Sequence, residues 1–232
     1  VRRLEIVAIP YEGEIREGTN LADALAATGL LANGDVVCVT QKAVSKAEGR
    51  VVHAPPEELE ARLDEALRAE SRRILRQRGP LRIVETHHGF VCANAGIDRS
   101  NVGGDAFSLL PLDPDRSARA IRDRLRHRHG LGVAVIVTDT FGRAWREGVT
   151  DVAIGVAGIR AIVDLRGTRD WSGTELRVTE VCVADELAAA ANLVVDKAAG
   201  TPFVRIRGID ASWFGESSAR SIVREPARDL FR

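Results

Sequence analysis

The run VAVIVTD, Val133 to Asp139, leaves this chain few architectures. It is apolar and β-branched up to Thr138, so it lacks the alternation of a half-exposed strand. A strand of that kind reads as central and covered on both faces, in a chain of further strands and helices. Neighbouring segments supply both. LEIVAI, DVVCVT, LRIVET, GFVCANA and PFVRIRG read as further strands, while NLADALAATGLL and VADELAAAANLVV read as helices. DPDRSARAIRDRLRHRHG carries full helix punctuation, with Asp113 as N-cap, Pro114 at the first helical position and Gly130 at the stop. Residues 55–79, PPEELEARLDEALRAESRRILRQRG, read as one long charged helix opened by prolines and acids and closed by arginines. The predicted class is mixed α/β (α+β). The 232 residues fit one domain over 1–232, and no repeat, low-complexity tract or proline-rich linker marks a boundary.

Bulk properties exclude some partners. Acidic and basic residues balance at 33 each, so no global field attracts nucleic acid. No apolar run approaches the ~18 residues of a membrane span. Cys38, Cys92 and Cys182 are widely spaced among apolar neighbours and form no paired-thiol motif. They read as buried free thiols, which suits a reducing, cytoplasmic setting.

Two loops carry candidate chemistry. In VIVTDTFGRAWREG the buried strand is expected to end at Asp139 and Thr140, followed by Arg143 and Arg146. Ligands collect at the carboxyl ends of strands in open α/β sheets, and a carboxylate beside a hydroxyl there suits Mg²⁺ or Mn²⁺. The competing reading is that Asp139 only caps the next turn. In NAGIDRSN, Asp98 and Asn101 follow an apolar strand, with Asn94 upstream. They read either as oxygen ligands with amide donors or as a turn bonding its own backbone. His87 and His88 beside Glu85 read as a surface turn and not as zinc ligands, because adjacent strand residues face opposite ways. Phosphate loops of the Gly-x-x-x-x-Gly-Lys-Ser/Thr type and dinucleotide glycine motifs are absent, so any nucleotide is expected to be held without a standard phosphate loop. Lysine is scarce. Lys42, Lys46 and Lys197 stand against thirty arginines, and two of the three lie four residues apart in QKAVSKAEGR.

Taken in order, GDVVCVTQKAVSKAEGR, GFVCANAGIDRSNV, LLPLDPDRSARAIRDRLR, VIVTDTFGRAWREG and ELRVTEVCVADELAAAANLV resemble the coenzyme F420-0:γ-glutamyl ligase family. The resemblance implies a two-lobed mixed α/β ligase fold, neither Rossmann nor P-loop, in a homodimer, and GTP-dependent addition of L-glutamate to F420-0. It also implies two divalent cations, Mn²⁺ or Mg²⁺, with stimulation by K⁺. By motif, Asp98, Asp139 and Thr140 match metal ligands, and Thr40, Gln41, Lys46 and Asn101 match nucleotide contacts. Asp196, Lys197, Ala198, Ala199, Gly200 and Thr201 fall at a nucleotide loop. Where relatives commonly read Gly-Leu-Pro, this chain has Pro10, Tyr11, Glu12, Gly13 and Glu14. That departure leaves the contacts of this loop open. Some members carry a further nitroreductase-like domain; the present sequence, ending ARSIVREPARDLFR, is expected to act without it.

The implied chemistry transfers the GTP γ-phosphoryl to a carboxylate and lets the glutamate amine attack the acyl phosphate. Phosphoryl transfer needs positioning and charge neutralisation, tasks that suit Lys46 and, by bidentate pairing, Arg143 and Arg146. Two other readings use the same residues: a metal-dependent phosphohydrolase, and a dimeric F420- or nucleotide-binding module without turnover.

Overall fold

The computed structural model describes residues 3–196 and 200–230. Along the chain come β1 (Glu5–Ile9), α1 (Leu21–Ala27), β2 (Val36–Thr40), α2 (Gln41–Ala47), β3 (Val51–His53) and α3 (Pro56–Glu70). Next are β4 (Ser71–Arg78), β5 (Leu81–Thr86), β6 (Val91–Ala93), β7 (Ala106–Ser108), α4 (Pro114–His129), β8 (Ala134–Arg143) and β9 (Arg146–Ala157). Two short strands, β10 (Val163–Asp164) and β11 (Glu180–Val181), precede α5 (Val183–Asn192) and β12 (Phe203–Arg207). The class is mixed α/β with several sheets, as the sequence predicts.

The largest sheet has the order β1-β12-β2-β8-β9. The β2–β8 pair is parallel, whereas β1–β12, β12–β2 and β8–β9 are antiparallel. Side chains along β2 and β8 divide by period two between opposite faces. Val37, Val39, Val135 and Val137 join Leu25 of α1 and Ala118, Ile121 and Leu125 of α4 in one core. Val36, Cys38, Ala134 and Ile136 join Ala184, Leu187 and Ala191 of α5 in the other. The VAVIVTD run is therefore covered on both sides, and its apolar character follows from having no solvent face.

The punctuation around α4 is realised in full. The Asp113 carboxylate accepts from the Arg116 amide at 2.9 Å, Pro114 opens the helix, and Gly130 closes it at φ 68°. Gly155 lets the start of α4 lie against β9, since a Cβ there would sit 2.2 Å from the Pro114 carbonyl oxygen. Asp115 then ties three elements together. Its carboxylate accepts from the amides of Val156 (2.8 Å) and Ala219 (2.9 Å) and from the Ser218 hydroxyl (2.6 Å).

Residues 55–79 differ from expectation. The helix stops at Glu70, and Ser71–Arg78 form β4, the edge of a three-stranded sheet with β5 and β6. Ser71 Oγ donates to the Leu67 carbonyl at 2.5 Å as the helix ends. Arg72 and Arg73 both donate to Glu85, whose side chain is 4% exposed. Buried Val84 packs in a cluster with Leu67 and Ala95. Pairing with β5 across the Gly79–Pro80 turn satisfies these groups together, and that tertiary gain overrides the local helix pattern.

All three cysteines are free; Cys38 and Cys92 are buried and Cys182 is partly so. Burial pushes the Cys92 and Cys182 thiols up to about 12, and Cys38 higher still. His87 and His88 hold their turn in place through contacts of Nε2 with the Ala69 and Pro111 carbonyls, both at 2.9 Å. Among the described residues, no helix is long and apolar enough to cross a membrane.

Replacing Asp115 by Ala leaves two buried amides without acceptors, at about 1–3 kcal/mol each. Urea unfolding of Asp115→Ala is expected to show a loss of about 3 kcal/mol, and Ser218→Ala a loss of about 1 kcal/mol. A loss below about 1 kcal/mol for Asp115→Ala would contradict this account of how the C-terminal segment is held.

Candidate active site

β2 and β8 pair in parallel up to Thr40 and Thr138, where β2 stops and β8 runs on. Beyond them lies a cleft of about 560 Å³. The carboxyl end of β2 passes directly into α2, so Thr40, Gln41, Lys42 and Lys46 enter the cleft from one short element. Gln41 is buried and internally satisfied, its side-chain amide donating to the Leu109 carbonyl (2.9 Å) and to Ser45 Oγ (2.7 Å). Its role is to anchor α2 beneath the cleft. Lys42 and Lys46, one helical turn apart, reach the cleft together.

A second wall comes from the loop after β6. Asn94, Ala95 and Gly96 all take positive φ (47°, 57° and 70°), a left-handed turn that costs free energy at the two non-glycine positions. Arg82 holds it by donating its amide to Asn94 Oδ1 at 2.9 Å. The turn delivers Asp98, which is pinned to Ser108 by a pair of backbone hydrogen bonds. Asn101, also left-handed at φ 58°, lines the cleft further along.

The electrostatic centre is Asp139. Oδ1 accepts from the Thr140 amide at 2.9 Å, and Thr140 Oγ1 donates to Asp151 Oδ1 at 2.7 Å across the β8–β9 ladder. Burial pushes the Asp139 carboxyl up to about 7; the Asp151 and Asp98 carboxylates add to the rise, while the Thr140 amide and Lys42 oppose it. Asp98 behaves differently. Burial acts to raise its carboxyl, but the Lys42 ammonium at 2.7 Å and the Ser100 amide at 2.6 Å outweigh it and hold it below the ordinary carboxylate range.

The third wall joins the N-terminal loop to the segment before β12. The Tyr11 amide donates to the Gly200 carbonyl at 3.1 Å, and the Tyr11 ring meets Phe203 edge-on at 6.2 Å. Gly13 lies under that ring, where a Cβ would come within 2.8 Å. Thr201 Oγ1 bonds both the amide and the carbonyl of Asp196. Of the positions expected at the site, Tyr11, Gly13, Thr40, Gln41, Lys46, Asp98, Asn101, Asp139, Thr140, Asp196, Gly200 and Thr201 line this one cleft. Pro10 and Glu12 are exposed and outside its lining. Lys197, Ala198 and Ala199 lie outside the described residues.

Arg143 and Arg146 stand apart. The expected strand end at Asp139 and Thr140 is not an end: β8 continues to Arg143 and turns back as β9. That hairpin carries both arginines away from the cleft lining to an exposed tip, where Arg143 donates to the Glu147 carbonyl at 2.7 Å. The hairpin also brings in Asp151, which the sequence reading missed. Its pairing with Thr140 across the ladder was the only signal, and that register is not visible in one strand alone.

The donor set is carboxylate, hydroxyl and amide oxygen, which suits a hard cation such as Mg²⁺ or Mn²⁺ and not zinc. Like-charged carboxylates converging on a partly buried position also favour a cation between them. Among the described residues, no three His, Cys, Asp or Glu side chains are close enough to form a cage alone. An ion here needs oxygen from a ligand as well.

Comparisons with known proteins bear on the family of this chain. A family model described as F420-0:Gamma-glutamyl ligase matches residues 12–208. The coenzyme F420:L-glutamate ligase of Methanopyrus kandleri is 42% identical, over 99% of this chain and 98% of its own. That of Archaeoglobus fulgidus is 40% identical, over 99% and 97%, and that of Methanothermobacter thermautotrophicus 42%, over 87% and 86%. Likeness of this extent, over half of the chain and more, establishes the family: the chain belongs to the F420-0:γ-glutamyl ligases.

Proposed function

We propose that this protein adds L-glutamate to F420-0 with GTP as phosphoryl donor. The observation that carries the reading is one cleft in which Asp139 faces Asp98 and Asp151 while Lys42 and Lys46 enter from α2. Carboxylates bring divalent cations, and ammonium groups bring phosphate. Together they suit a nucleotide triphosphate, although no standard phosphate loop is present.

In this reading a carboxylate oxygen of F420-0 attacks the γ-phosphorus, the bond to the β-phosphate oxygen breaks, and GDP leaves. The glutamate nitrogen then attacks the acyl carbon, loses its proton, and expels inorganic phosphate as the amide forms. Asp98 and Asp139, with Thr140 held by Asp151 beside them, would hold Mg²⁺ or Mn²⁺ together with phosphate oxygens, and the cation would supply charge neutralisation there. Lys46 lines the cleft beside Glu14, whose carboxylate feels its charge, and in this reading its compact ammonium is directed to a phosphate. Asn101 and the Gly200–Thr201 segment border the same space and orient the nucleotide. Arg143 and Arg146, at the hairpin tip, are given no step within this cleft.

Mass spectrometry after incubation with GTP, Mn²⁺, F420-0 and L-glutamate tests the proposal. A product heavier by one or more glutamyl units supports ligation. GDP without that product indicates a phosphohydrolase, and no turnover indicates a binding module.

Two substitutions probe the roles. Asp139→Asn removes the central charge and is expected to retain less than about a tenth of the activity at saturating Mn²⁺. Because that charge is crowded by two other carboxylates, the same variant in EDTA at pH 8 should be as stable as the wild type or more so. Retained activity, or a loss of stability above about 2 kcal/mol, would contradict the role given to Asp139. Lys46→Arg keeps charge but replaces a point donor with a planar fork. Steady-state kinetics should show turnover lower by about tenfold, or roughly 1.4 kcal/mol in the barrier; wild-type turnover and GTP affinity together would contradict the role of the ammonium.

A further inference from the structure

Lys42 and Lys46 share a helix face and a cleft, but their ammonium groups are differently engaged. Lys42 Nζ lies 2.7 Å from Asp98 Oδ2 and 2.5 Å from Ser100 Oγ. The other oxygen of Asp98 accepts the Ser100 amide at 2.6 Å. Both oxygens of this candidate metal ligand are thus already engaged, one of them by a full positive charge. The Lys42 side chain is only 20% exposed, so water screens that charge weakly.

We infer that Lys42 and the divalent cation compete for Asp98, so that the cation enters the cleft as a complex with the nucleotide and not ahead of it. The inference rests on the nucleotide–metal reading above. A second observation points the same way: among the described residues, the protein supplies no three-residue cage that would hold a cation unaided. Hard cations take about six oxygen ligands, so phosphate oxygens would complete a shell the protein leaves partial. The same phosphates offer the Lys42 ammonium a new partner, on the cleft face where Lys46 already stands. One event, arrival of the nucleotide, removes the competitor from Asp98 and adds ligands to the ion. By linkage, the nucleotide then tightens metal binding by the factor by which metal tightens nucleotide binding.

Lys42 is in this account a positioning residue. It sets the order of binding through Asp98 and takes no part in bond making. Ser100 holds ammonium and carboxylate in one geometry, its hydroxyl accepting from Lys42 and its amide donating to Asp98.

Mn²⁺ binding to the full chain, read from the electron paramagnetic resonance of free Mn²⁺ with and without GTP, tests this. The wild type is expected to bind Mn²⁺ about thirtyfold more tightly with GTP than without, within the usual range of such couplings. Lys42→Met keeps the apolar stem and removes the competitor. It should bind Mn²⁺ alone about tenfold more tightly than the wild type, with the enhancement by GTP reduced to match. Ser100→Ala leaves both charges in place and should move Mn²⁺ affinity the same way, by about threefold. This milder variant decides the matter by the same criterion if Lys42→Met does not fold. Mn²⁺ binding by the variant alone that is no tighter than wild type, while the wild type binds Mn²⁺ with GTP, overturns the competition and leaves the nucleotide–metal reading standing. A wild type that binds Mn²⁺ neither alone nor with GTP overturns both.

Discussion

One parallel ladder governs this molecule. β2 and β8 pair with Thr40 opposite Thr138, within a sheet whose other pairings are antiparallel. A parallel pair cannot be closed by a tight turn and needs a crossover, which here takes residues 41–133. Everything that makes the site follows from that requirement. The residues beyond the last parallel pair, Gln41–Lys42 after Thr40 and Asp139–Thr140 after Thr138, open into one cleft. The crossover returns Asp98 to the same place through its bridge to Ser108. The β8–β9 hairpin, continuing past the shared level, adds Asp151 from the far side.

The carboxylates of the chain fall into two groups with different physics. Asp35 and Asp115 are buried and matched. Asp35 accepts Arg207 through both oxygens (2.7 and 2.8 Å), and Asp115 accepts two amides and a hydroxyl. Their partners are fixed, so they hold the fold together. Asp139 has the Thr140 amide and two carboxylates of its own sign around it. Such crowding opposes folding, and under the proposed function a bound cation would relieve it. The acids that hold the fold are thus separate from those of the candidate site, and the left-handed turn at Asn94–Gly96 places its strain on the second group's side.

How much of this the sequence disclosed depended on how local each cause was. The α4 helix was legible because Asp113, Pro114 and Gly130 act within a turn of where they stand. β8 was legible because a strand with no solvent face has no reason to alternate. The family motifs located Asp98, Asp139, Thr140 and Lys46, which the fold brings to one cleft. The strand character of β4 comes from its ladder with β5, where Ile74 lies opposite Val84 and Arg72 and Arg73 reach Glu85, and nothing in SRRILRQR announces those partners. Arg143 and Arg146 are close to Asp139 and Thr140 in sequence, but a hairpin carries them outward. Asp151 and the Lys42–Asp98 pair were invisible for the opposite reason. They are close in space across ladders and loops, and sequence distance hides them.

The claim on which the account turns is that these acids hold a cation against nucleotide phosphate. Crystals grown with GDP and Mn²⁺, with anomalous data collected at the manganese edge, address it directly. The account predicts an anomalous peak in contact with the Asp98 and Asp139 carboxylates, with the diphosphate on its other side facing Lys46. Manganese bound away from both acids, or nucleotide density outside this cleft, would contradict it.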